Sequence, residues 1–258
     1  MRTFHPRRGR LSGRHHDALE RLWPRWGLLV PGTEPRVPGT GAPGAPRTRA
    51  GATTAVPDPA TSDASAATGV DLPGLFGRRA PVVLEIGSGM GETTAAMAAA
   101  DPGRDYLAVE VHTPGIANLL ALAERRGLTN VRVAQGDAID LVRLLPAGSL
   151  DAVHVFFPDP WPKARHHKRR LIQPAHVALL RSRLVAGGTL HCATDWAEYA
   201  AAMAETLAAD PELVNAFDGY APRPAHRPVT KFERRGLASG HQIFDLIFRR
   251  AALPADPG

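Results

Sequence analysis

From about residue 70 to residue 250 the chain alternates short apolar runs with longer stretches of helical periodicity. The runs 82–86, 105–110, 131–135, 151–157 and 187–193 have the length and β-branched content of buried strands. Between them, 92–100, 114–126, 138–145 and 171–184 repeat their apolar positions with the period of a helix. Strand–helix alternation of this kind predicts an α/β fold with a mostly parallel sheet and helices on both faces. Ligands of such sheets bind outside the carboxyl ends of the strands, so functional residues are expected directly after each strand.

The rest of the chain is patterned differently. Residues 1–30 form a basic arm in which Leu19, Leu22, Trp23 and Trp26 follow i, i+3, i+4, i+7 spacing, which predicts a short amphipathic helix. Residues 31–69 are Pro, Gly, Ala, Thr and Ser with almost no large apolar side chain. Such a segment buries too little surface to offset its ordering entropy and is expected to be a disordered linker. Residues 251–258 are read as a tail.

Composition narrows the function. No apolar run approaches the roughly 18–20 residues that span a bilayer. The arginine-rich start lacks the apolar core and cleavage site of a secretory signal. Asp17, Glu20, Trp23 and Trp26 also fit a mitochondrial presequence poorly. Cys192 is the single cysteine, which excludes an internal disulfide and a cysteine-rich zinc site, suits the cytoplasm, and reads as a small core residue. The net charge of +6 and the pI near 10.2 favour an acidic partner such as nucleic acid, though arginine usage in an Ala/Gly/Pro-rich chain gives the same balance.

The first strand runs Val82-Val83-Leu84-Glu85-Ile86 into Gly87-Ser88-Gly89-Met90-Gly91. A dinucleotide fingerprint would place its third glycine at position 92, which is Glu92. The G-x-G-x-G spacing with Glu85 two residues ahead is instead a feature of many S-adenosylmethionine enzymes. Glu110 ends the second strand, where a carboxylate accepts both ribose hydroxyls, a device that dinucleotide enzymes share. Asp137 follows the third strand and suits an adenine amino group, or simply caps the next helix. Glu85, Gly87, Gly89, Glu110 and Asp137 together form the expected cofactor set.

The fourth strand leads into Phe156-Phe157-Pro158-Asp159-Pro160-Trp161-Pro162-Lys163. Prolines on both sides of Asp159 stiffen the presentation of its carboxylate, and Trp161 offers a face for stacking a base. Arg165, His166, His167, Lys168, Arg169 and Arg170 follow as a cationic run able to hold phosphates. The alternative is a packed tryptophan beside a solvated basic helix start. His166 and His167 have no accompanying ligand set, and no metal is expected. Arg7, Arg8, Arg10 and Arg14 suit either an RNA-contacting arm or a solvated tail.

The segment 156–163, followed by His166-His167-Lys168-Arg169-Arg170-Leu171, resembles the signature of the bacterial tRNA (guanine-N7)-methyltransferases. Arg10-Leu11-Ser12-Gly13 through Leu22-Trp23-Pro24, Ala193-Thr194-Asp195-Trp196, and Thr230-Lys231-Phe232-Glu233-Arg234-Arg235-Gly236 with Gly240-His241 extend the match. It covers about residues 5–30 and 70–250; the Pro/Ala/Gly-rich insertion at 31–69 departs from it. The resemblance implies a class I, Rossmann-like methyltransferase fold with a mostly parallel seven-stranded sheet. It also implies methyl transfer from S-adenosylmethionine to N7 of guanosine at tRNA position 46, in the variable loop. Carried over, Glu85, Glu110, Asp137 and Asp159 would contact the cofactor or shape its pocket. Lys163, Asp195, Thr230, Lys231, Phe232 and Glu233 would hold the substrate.

Guanine N7 has a free lone pair and no proton, so the reaction needs alignment rather than a general base. Asp159 is the candidate catalytic carboxylate, positioned to stabilise the positive charge that develops on the base. Asp195 or Glu233 would accept from guanine N1–H and the amino group. Two other readings stay open: an amino-group RNA methyltransferase, which the prolines separated by Asp159 disfavour, and a non-catalytic RNA-binding protein, which the acids at four strand ends disfavour. A single-chain enzyme, monomeric or homodimeric, without an obligatory protein partner is expected.

Overall fold

The structure, a computed structural model, describes residues 11–34 and 69–252. Residues 35–68 of the linker expected at 31–69, Arg7, Arg8, Arg10 and residues 253–258 of the tail lie outside the described residues. Strands β1 (Gly27–Leu29), β2 (Val82–Ile86), β3 (Asp105–Glu110), β4 (Val131–Gln135), β5 (Leu150–Phe156), β6 (Leu184–Thr194), β7 (Leu213–Asn215) and β8 (Phe244–Arg250) form one sheet. Its order is β1-β4-β3-β2-β5-β6-β8-β7. β1 to β6 pair in parallel, and β8 runs antiparallel between β6 and β7. The chain builds outward from β2 to β3 and β4, then crosses to β5 and β6. The order reverses between β2 and β5, which opens a crevice at their carboxyl ends.

The helices are α1 (Gly13–Trp26), α2 (Leu72–Phe76), α3 (Glu92–Ala100), α4 (Thr113–Arg125), α5 (Ala138–Leu144), α6 (Pro174–Arg183), α7 (Ala197–Ala208) and α8 (Lys231–Ala238), with a 3-10 turn at Ala164–Arg169. All five predicted strands and all four predicted helices are present. The helix predicted at 171–184 begins later, at Pro174, because proline fits the first turn, where no N–H is needed, while Gln173 is extended at φ −140°.

The sheet has eight strands among the described residues, not the seven expected. The addition is β1, a three-residue Gly-Leu-Leu segment too short to show a period, which sets Leu28 opposite Ala134 at the edge of β4. The predicted amphipathic helix just before it is α1. Leu19, Leu22, Trp23 and Trp26 are all buried in one core with Ala117 and Leu120 of α4 and Val131 and Val133 of β4. Arg21 adds a bidentate pair to Glu124 of α4 at 2.7 and 3.0 Å. On the opposite face α5, α6 and α7 contribute Leu141, Val142, Val177, Leu180, Tyr199 and Met203 to a second core.

Cys192 lies within that second core on β6, fully buried, and burial pushes its thiol up to about 12. No helix among the described residues is long and apolar enough to cross a membrane.

Leu19→Ala removes a fully buried side chain at the junction of α1 with α4. Urea unfolding of the full chain is expected to show a loss of about 2–5 kcal/mol in one transition. A loss under about 0.5 kcal/mol would mean that α1 is not part of the cooperative core.

Candidate active site at the carboxyl edge of the sheet

The loop after β2 turns through Gly87, Gly89 and Gly91 at φ 77°, 57° and 72°, a region that L side chains rarely adopt. Nothing lies within 4 Å of where a Cβ would stand on Gly87 or Gly89, so the loop lines open space. Its back is closed by α4. A Cβ on Gly115 would come within 1.9 Å of the Gly89 carbonyl, and the Asn118 amide donates to the Met90 carbonyl at 2.6 Å. Neither Gly115 nor Asn118 was singled out in the sequence, because a contact between helix and loop leaves no periodic signal.

Two carboxylates flank this loop in different environments. Glu110, ending β3, accepts from the backbone N–H groups of Gly89 at 2.7 Å, Val111 at 2.7 Å and His112 at 2.9 Å. It therefore ties the glycine loop to the next strand end. Glu85 is buried within β2 and accepts from the Thr94 hydroxyl of α3 at 2.5 Å. Burial, reinforced by the charge of Glu110 and opposed by the Thr94 hydrogen bond, pushes the Glu85 carboxyl up to about 7.

Asp137 follows β4 and accepts from the Ile139 N–H at 2.8 Å, so it caps α5. That bond uses one carboxylate oxygen and leaves the other for a ligand. Asp159 follows β5 between two residues held at positive φ, Phe157 at 52° and Trp161 at 46°. The Phe157 N–H donates to Ala193 of β6 at 2.7 Å, and Arg170 Nε donates to the Pro160 carbonyl at 2.9 Å. Asp159, half-buried, lines an open pocket of about 390 Å³ with Pro160, Pro162, Lys163 and Arg169.

Trp161 is packed rather than presented. It is 6% exposed, with the Arg169 guanidinium 4.9 Å from its ring and His166 edge-on at 5.9 Å. The open aromatic near this edge is Trp196, 39% exposed immediately after Asp195. Of the cationic run, Lys163, Arg165 and Lys168 are exposed, while His166, His167 and Arg169 are partly buried. Arg170 departs from the phosphate-binding expectation. It is buried, donates from both terminal nitrogens to the Glu198 carboxylate of α7 at 3.0 and 2.5 Å, and stacks 4.6 Å from the Tyr199 ring.

The C-terminal motif is likewise turned inward. Thr230 and Glu233 form a reciprocal cap on α8, with Glu233 N–H to Thr230 Oγ1 at 3.0 Å and Thr230 N–H to Glu233 Oε2 at 3.3 Å. Glu233 is buried and takes Arg227 at 2.6 and 3.3 Å, so its carboxylate is engaged here by the protein and not held open for guanine. Asp195, partly exposed after β6, lies 3.6 Å from His241 Nδ1. The side chains of Lys231 and Phe232 lie outside the described part of the chain.

A family model described as "Putative methyltransferase" matches residues 79–246. The chain is 51% identical over 253 residues to a tRNA (guanine-N(7)-)-methyltransferase of Streptomyces coelicolor, covering 97% of this chain and 81% of that one. The chain belongs to the tRNA (guanine-N7)-methyltransferase family. A second member of the family, from Halorhodospira halophila, is 51% identical over 96% of this chain and 94% of its own. The fold is the class I methyltransferase fold. The crystal structure of the 16S rRNA methyltransferase KamB superposes with TM-score 0.51 at 18% identity, over 71% of this chain and 95% of that one.

The buried position of Glu85 has a measurable consequence. Its folded value near 7 lies above the ordinary 4.5, so the protonated form favours the folded state. That contribution is complete below about pH 4.5 and is lost as pH rises through about 7. Between about pH 5 and about pH 8 the ligand-free protein is expected to lose on the order of 3 kcal/mol from this group. Glu85→Gln, which keeps an acceptor for Thr94, should flatten the slope; equal slopes in the two proteins would show Glu85 ionised throughout.

Proposed function

We propose that the chain transfers the methyl group of S-adenosylmethionine to N7 of guanosine in tRNA, at position 46 of the variable loop. The observation that carries this reading is the convergence of Glu85, Glu110, Asp137 and Asp159 at neighbouring strand ends around the open glycine loop. Family membership supplies the reaction class and the nucleic acid.

The donor set suits the cofactor. Gly87 and Gly89 leave space beside the backbone, and Glu85 presents a buried carboxylate for a cationic methionine moiety. Glu110 accepts ribose hydroxyls, and the uncapped oxygen of Asp137 accepts from the adenine amino group. When bound, S-adenosylmethionine supplies an electrophilic methyl group on a positively charged sulfur.

The protein's remaining work is positional. Guanine N7 needs no deprotonation, so the site must orient the base and exclude water. Asp159 faces the base as it gains positive charge and stabilises it electrostatically. Asp195 bounds the substrate side, with Trp196 offering the stacking face that Trp161 does not. Lys163, Arg165 and Lys168 hold phosphates, and binding through them is salt-dependent. The chain acts in the cytoplasm as a single-chain enzyme.

The test is methyl transfer from labelled S-adenosylmethionine to two unmodified tRNA transcripts, one with guanosine and one with adenosine at position 46. Label is expected on the first alone, recovered as 7-methylguanosine. Equal labelling of both removes the proposed site, and labelling of neither by protein that binds cofactor removes the reaction.

Asp159→Ala is expected to bind tRNA as the wild type does and to lose about 10²-fold in single-turnover rate. Near wild-type turnover would exclude the electrostatic role.

A further inference from the structure

Three histidines meet on one face of the sheet, apart from the carboxyl-edge acids. His154 lies within β5, His191 occupies the paired register position on β6, and His226 comes from the segment between β7 and α8. One ring nitrogen of each lies within 4.8 Å of the other two. No ligand spacing marks this set, whose members are spread over 154–226.

The ring nitrogens of the cluster are short of hydrogen-bond partners. His154 Nδ1 and His191 Nδ1 are both buried without a hydrogen-bond partner among the described residues. Buried polar atoms are almost always satisfied, and two unsatisfied ring nitrogens in one cluster call for a partner. His191 Nε2 meets Asp245 Oδ1 at 2.7 Å. An ionised carboxylate only accepts, so the His191 proton sits on Nε2 and its Nδ1 is a lone pair. This carboxylate–imidazole pairing is how proteins orient a metal-ligating histidine.

The surroundings are compatible with an added positive charge. Burial would raise the Asp245 carboxyl, but hydrogen bonds from His191 and Arg227 hold it below its ordinary range. Arg227, fully buried, is bidentate to Asp245 at 2.9 and 2.8 Å and also pairs with Glu233. Two buried carboxylates therefore face one buried guanidinium, with Arg223 reaching Glu233 only from the exposed side at 3.8 Å.

We propose that His154, His191 and His226 bind a divalent transition metal, Zn²⁺ by ligand type, with water completing a four-coordinate site on the exposed His226 side. Imidazole donors suit zinc, and Zn–N bonds of about 2.0–2.1 Å require nitrogens about 3.4 Å apart. The ring that moves is His226, which is exposed and stacks on His154 at 6.0 Å with the planes 21° apart. The metal fastens the segment 216–230 to the sheet and, through Arg227, steadies the buried face of α8. It takes no part in methyl transfer.

The test uses the full chain stripped with chelator and titrated with Co²⁺, then Zn²⁺. One Co²⁺ per chain with the strong visible bands of four-coordinate cobalt is expected, displaced by Zn²⁺, with a rise in Tm. His226→Ala should weaken binding at least tenfold while its metal-free Tm stays that of the wild type, and substitution of His15 or His16 by alanine should leave cobalt binding unchanged. His226→Cys should restore binding and add a thiolate-to-cobalt charge-transfer band, a signature that Cys192, buried in the core, does not supply. Absent or six-coordinate cobalt, equal affinity in His226→Ala, or no charge-transfer band in His226→Cys would each overturn the site.

Discussion

The segment that carries Asp159 is held in a backbone conformation that its own residues disfavour. Phe157 and Trp161 both sit at positive φ, and each costs about 1–2 kcal/mol relative to ordinary backbone. Such strain persists only where the surroundings over-determine it. Arg170 is the main restraint. Its Nε holds the Pro160 carbonyl, its two terminal nitrogens hold Glu198, and its plane rests over Tyr199, whose hydroxyl accepts from the Ile172 N–H at 3.2 Å. One guanidinium thus locks the loop, the entry to α6 and the start of α7 into a single geometry. The Phe157 N–H to Ala193 bond closes the loop on its other side. An arginine that looks like one more phosphate contact is in fact a restraint on the backbone beside Asp159.

The acids at the carboxyl edge are not equivalent, and the difference follows from how each is solvated. Glu110 has three backbone N–H donors, whereas Glu85 has one hydroxyl and burial pushes its carboxyl toward neutrality. A cationic ligand beside Glu85 would supply the charge that its burial withholds. That is a physical reason to place a positively charged moiety beside Glu85 in the proposed reaction.

How far the sequence could be read depended on whether a residue's role is local. Glu85, Gly87, Gly89, Glu110, Asp137 and Asp159 stand at strand ends, and strand ends follow from hydrophobic patterning alone; the positions of these residues could be read directly. The capping role of Asp137 was also visible, because a cap acts within three residues. Roles set by distant partners were not. Arg170 to Glu198, Glu233 to Arg227 and the burial of Trp161 under Arg169 each depend on tertiary packing that the pattern does not encode. β1 escaped because three residues carry no period, yet the apolar set of α1 before it was plain.

Charge is sorted by depth across this edge, and the sorting bears on how one site handles two ligands of opposite sign. The carboxylates Glu85 and Glu110 lie at the buried floor, while Lys163, Arg165 and Lys168 stand exposed on the turn beyond Asp159. Fields from buried charges are weakly screened and act at short range on whatever fills the crevice, whereas exposed cations act through solvent on a large polyanion and weaken with salt. A positively charged small molecule is drawn to the floor and a phosphate backbone to the rim. Asp159 sits between the two zones, half-buried, on the loop that Arg170 immobilises. In the proposed reaction a carboxylate at that boundary would meet the base where positive charge leaves the sulfur and appears on the ring, and its rigidity would matter as much as its charge.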